Sequence, residues 1–75
     1  MKRFILYNKK SESIEKESCD ESKFLKILEN VNSFKNYEIY AIYPNYKTCE
    51  TIKKTLTVTL ITNQKGQTRC ELSTN

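Results

Sequence analysis

Only one stretch of this 75-residue chain spaces its apolar residues as a helix does. Phe24, Ile27, Leu28 and Val31 stand at i, i+3, i+4 and i+7, with Lys23, Lys26 and Glu29 on the other side, so the segment has a single stripe to bury. Just upstream, Ser18-Cys19-Asp20-Glu21 fits a capping box, in which the Ser18 hydroxyl accepts from the Glu21 amide and the Glu21 carboxylate reaches back. Downstream, the Asn and Ser residues between Asn30 and Asn36 favour local side-chain-to-backbone bonds over helix continuation. One helix with one apolar stripe calls for one apolar surface to lie on.

The rest of the chain alternates as strands do. Between Lys2 and Asn8, Phe4 and Leu6 interleave with Ile5 and Tyr7, so both faces are apolar and the strand belongs in the middle of a sheet. Tyr37 to Tyr43 reads as a second strand, ended by Pro44-Asn45. From Thr55 to Thr62, Leu56, Val58 and Leu60 point one way and Thr55, Thr57 and Thr59 the other. Asn63-Gln64-Lys65-Gly66 then makes a hairpin turn, with the only glycine where positive φ is needed, and Gln67 to Ser73 returns with Cys70 and Leu72 inward.

Two segments read less cleanly. Residues 9–17 are too polar to bury anything and read as a mobile loop. In residues 46–54, threonines favour an extended chain, while Cys49, Ile52 and Lys53 suit a short helical turn. The expected fold is therefore α+β and a single domain over residues 1–75. One helix packs on a mainly antiparallel sheet of four or five strands, in the order β-α-β-(β)-β-β. Should the first two of these strands be parallel neighbours, the helix is a right-handed crossover between them.

Four of the five tyrosines fall at every third residue, Tyr37, Tyr40, Tyr43 and Tyr46. On a strand a step of three sends successive rings to opposite faces. Tyr37 and Tyr43 thus join Ile39 and Ala41 on a core face, and Tyr40 joins Glu38 and Ile42 on the other. Tyr40 and Tyr46 are the rings expected to be on display. Packing alone also accounts for tyrosines here. Ala, Val, Ile, Leu, Met, Phe, Cys and Gly make up 24 of 75 residues, below the roughly 45–50% of an average domain, so the core is thin and rings must supply much of its area.

The formal charge of +4 conceals a segregation. Lys2, Arg3, Lys9 and Lys10 precede an acidic block of Glu12, Glu15, Glu17, Asp20 and Glu21 that holds Lys16 alone as a base, and the remainder is again basic. An acidic block beside a basic arm works against a uniformly cationic nucleic-acid module. It also suits the solvated approach to a helix N-terminus, where acids are stabilising in any case.

The chain lacks histidine, and with it the commonest general base and the commonest nitrogen ligand of zinc. Cys19, Cys49 and Cys70 form no Cys-x-x-Cys pair, and one glycine in the whole chain leaves no glycine-rich phosphate loop. No catalytic residues, metal site or cofactor are expected. An odd number of widely spaced cysteines, with no signal-peptide or membrane-spanning stretch, points to free, inert thiols and a cytoplasmic chain away from membranes. Cys70, in phase with Leu72, has a core position.

What remains is binding. The leading expectation is a non-enzymatic protein that contacts a larger protein, as an inhibitor or regulator of the kind found among phage and mobile-element accessory proteins. Its candidate residues are Tyr40, Tyr46, Lys47, Glu12, Glu15 and Glu17, since segregated charge favours a steered encounter and exposed tyrosine makes a good anchor. The alternative is a small RNA or single-stranded DNA binder that stacks bases on its tyrosines, with Lys35, Lys47, Lys53 and Lys54 nearby. Self-association through the first or the last strand is a further possibility.

Overall fold

A computed structural model describes residues 2–74. Its elements are β1 (Arg3–Asn8), β2 (Ser13–Ser18), α1 (Glu21–Glu29), β3 (Tyr37–Asn45), β4 (Glu50–Thr62) and β5 (Thr68–Thr74). The strands form one sheet in the order β2-β1-β3-β4-β5, and every neighbouring pair is antiparallel. One short helix on a five-stranded antiparallel sheet fits the α+β class.

The fifth strand lies earlier than expected. Ser13–Ser18, which begins within the 9–17 segment read as a loop and ends on the residue read as a helix cap, pairs with β1, whereas residues 46–49 form a turn and β4 runs unbroken from Glu50. An edge strand needs no apolar rhythm when both of its faces stay wet, and all but Ser18 of this one are exposed. No glycine marks the turn into it. Instead the Asn8 side chain makes the bend, its Oδ1 accepting from the amides of Lys10 at 2.9 Å and Ser11 at 3.1 Å, and Glu12 takes a positive φ of 55°. Because β2 reverses the chain before the helix, β1 and β3 are antiparallel neighbours, not parallel ones. The helix instead links β2 to β3, which run parallel to one another with β1 between them.

Asp20, and not Ser18, caps the helix. Its Oδ1 accepts from the amides of Ser22 at 2.9 Å and Lys23 at 3.3 Å, which satisfies free N–H groups and sets a negative charge at the positive end of the dipole. Ser18 closes β2, and its hydroxyl braces the backbone of Asp20. At the other end the Asn30 side chain donates to the Lys26 carbonyl.

Phe24 and Leu28 of the helix meet Phe4 and Leu6 of β1, Ile39 and Ala41 of β3 and Cys70 of β5 in one buried cluster, with Ile27, Val31, Tyr37, Leu56, Val58 and Leu72 around it. The rings of Phe4 and Phe24 stack with centroids 5.6 Å apart. The helix backbone comes nearest to β2 and β5, the two edges of the sheet, so the sheet curls around it. The hairpin at Gly66 forms as the sequence predicts, with φ of 79° and the Gly66 amide donating to the Asn63 carbonyl. Leu60 departs from its predicted inward place: β4 extends there beyond β3, and the side chain is 59% exposed.

Candidate binding surface

The side of the sheet away from the helix carries Arg3, Ile5 and Tyr7 from β1, Glu38, Tyr40 and Ile42 from β3, and Lys53 and Thr55 from β4. Ile5 pairs with Tyr40 and is fully buried. Tyr40 is only 8% exposed, so it is not the displayed ring that its face assignment implied. The face was right and the exposure was not. The Lys53 ammonium sits 4.3 Å from the centre of the Tyr40 ring and bonds Glu38 at 3.0 Å, while the Tyr7 ring lies against Tyr40 at 6.5 Å. The Glu38 hydrogen bond raises the Lys53 pKa above its usual value and outweighs the opposite pull of desolvation. Tyr37 and Tyr43, assigned to the core side, are half-buried there; Lys2 lies over the rings of both Phe4 and Tyr43.

Tyr46 alone of the four is displayed, at 84% exposure. It and Lys47 form the tip of the β3–β4 hairpin. Asn45 organises that tip: its Oδ1 accepts from the Lys47 amide at 3.0 Å, and its carbonyl accepts from the Cys49 amide at 2.8 Å. Cys49 closes the turn with φ of 59°, and Thr48 hydrogen-bonds Glu50. The ring is thus mounted on a backbone held by its own side chains.

The acidic candidates lie elsewhere. Glu12 is in the β1–β2 turn, which the strand register places at the opposite end of the sheet from Tyr46. Glu17 is paired with Arg3 at 2.8 Å, and Glu15 accepts from the Tyr37 hydroxyl at 2.6 Å. That bond to a carboxylate raises the Tyr37 pKa above its usual value, with smaller contributions from desolvation and from the charge on Glu15. Glu15 and Glu17 therefore tie the edge strand to its neighbours, and the six candidate residues do not converge on one surface.

All three thiols are free; Cys19 and Cys49 are exposed and Cys70 is buried. Burial raises the Cys70 pKa, and Glu29 adds to the effect. Among the described residues no three acidic or thiol groups gather closely enough to hold a metal ion, and no helix is long and apolar enough to cross a membrane. Sequence reasoning overlooked the tight roof over Ile5, whose signal was the interleaving of Tyr7, Tyr40 and Lys53 on facing strands. No family model matches the chain, and neither curated proteins nor solved structures yield a match.

Proposed function

We propose that this chain is a non-enzymatic binding protein that engages a larger protein through the β3–β4 tip and acts as its inhibitor or regulator. The observation that supports this reading is the 84% exposure of Tyr46 on a turn whose backbone is braced by Asn45. A large ring on a preorganised turn gives up little conformational freedom on docking, and tyrosine is over-represented among the residues that dominate binding energy. Lys47 beside it supplies a charge that steers an acidic surface toward the ring. Tyr40 contributes as support under the sheet, and Glu12, Glu15 and Glu17 lie outside this contact.

Co-purification of the tagged chain from its source cell tests the proposal. Tyr46→Ala and Lys47→Glu are expected to lose a partner that the unaltered chain retains; identical recovery from all three would overturn it. The same exposed ring and lysine favour a second reading, stacking on unpaired bases. Oligonucleotide binding that weakens as salt rises, and that Tyr46→Ala removes, would favour nucleic acid over a protein partner.

A further inference from the structure

The two edges of the sheet differ in how they meet other strands. At β2 the register with β1 shifts between Leu6 and Tyr7, which leaves Glu15 as an extra residue, and Glu15, Lys16 and Glu17 follow one another along the edge. A bulge and a run of charges are common guards against edge-to-edge pairing. β5 has neither a bulge nor a proline or lysine: from Thr68 to Thr74 its residues pair with Thr62 to Leu56 of β4 in seven unshifted rungs. Its outer side offers a straight row of backbone donors and acceptors.

We propose that β5 pairs with β5 of a second copy in an antiparallel register centred on Cys70. A two-fold axis perpendicular to the sheet keeps each face continuous, so facing residues must share a face and the axis must lie midway between a residue and its own copy. Centring on Arg69 sets arginine against arginine, and centring on Glu71 sets glutamate against glutamate. Centring on Leu72 faces Glu71 with Ser73 and makes no charge pair. Only the Cys70 register opposes Arg69 to the partner's Glu71, twice by symmetry. Both side chains are on the face away from the helix, already 3.2 Å apart within the strand, and 70% and 53% exposed. Two five-stranded sheets then become one of ten strands, and the Tyr46 tips, at the far end of β4 from the Gly66 turn, are left uncovered.

Sedimentation velocity over a wide concentration range tests this. A reversible dimer is expected. Arg69→Glu and Glu71→Arg, each of which replaces two attractive cross-strand pairs by repulsive ones, are expected to weaken it about tenfold or more. Arg69→Glu combined with Glu71→Arg restores it, because the swapped charges again oppose one another. Raised salt weakens the unaltered dimer, a readout that needs no variant. A chain that stays monomeric at the highest concentration, a dimer indifferent to both single changes, or one that the double change fails to restore would overturn the proposal.

Discussion

On the helix side of β1, Phe4 and Leu6 are covered by a second layer, the ring of Phe24 and the side chain of Leu28; on the other side Ile5 reaches complete burial with no layer above it. There the cover comes from within the sheet. Tyr40 faces Ile5 across the β1–β3 rung, Tyr7 leans on Tyr40, and the Lys53 stem brings its ammonium over the Tyr40 ring. On the β2 side Glu17 faces Ile5 across the rung and is held to Arg3. Long side chains that lie down can thus replace a missing layer over one or two residues, with their charged ends still in water. A packed helix does so for a whole stripe, which is why seven residues of four elements share one cluster on that side.

Truncation of one residue on each face measures this difference. Phe24→Ala, which empties the centre of the two-layer side, is expected to cost about 3–5 kcal/mol in urea unfolding, the usual loss for a buried phenylalanine. For a domain this small, that is much of the total stability. Ile5→Ala should cost less, about 2–3 kcal/mol, because Tyr7, Tyr40 and Lys53 have room to settle into the space. An equal or greater loss at Ile5 would mean that the roof is as rigid as the helix.

Lys53→Ala removes the cation above Tyr40 and the ion pair with Glu38. Since Lys53 is more than half exposed, the expected loss is below about 1 kcal/mol. The smallest effect is at the rim, where Glu15→Gln should return the Tyr37 pKa toward its ordinary value in a phenol absorbance titration. The raised pKa also has a sign in stability. The folded chain holds the Tyr37 proton more tightly than the unfolded one, so this contribution is complete below the ordinary tyrosine pKa and is lost as pH rises through the folded value. Glu15→Gln should flatten that alkaline decline; an unchanged slope would assign it to other groups.

The helix was legible because its stripe is set against lysines and a glutamate, and a stripe is a direct record of a buried side. The Gly66 hairpin was legible for a similar reason, since a lone glycine beside Asn63 marks a backbone need. The strand β2 left no such record: its contribution is backbone pairing and side-chain bonds such as Arg3–Glu17, Asn8–Glu15 and Tyr37–Glu15, none of which imposes a periodicity. Alternation told which face Tyr40 occupies but not how exposed it is, because exposure depends on what the neighbouring strands extend over it. Tyr46 was expected as a displayed ring, and it is, but the strand does not end at Pro44-Asn45 as the sequence suggested. β3 pairs through Pro44 with Thr51 and through Asn45 with Glu50, because an edge-ward proline needs no amide there, and the chain turns only at Tyr46. The separation of Tyr46 from Glu12 was not legible, since that depends on sheet order.

β4 belongs to two ladders in succession, pairing through Glu50–Leu56 with β3 and through Leu56–Thr62 with β5. Among the described residues Leu56 is the one rung that the two registers share, facing Ile39 on one side and Thr74 on the other. Past Leu56, β4 and β5 reach the core through Cys70, which lies in the buried cluster, and through Val58 and Leu72, which pack against it. Such a hairpin is a natural unit of partial opening. Its amides are expected to exchange with solvent sooner than those of β1 and β3, and a second strand laid along β5 would slow that exchange across the whole hairpin at once.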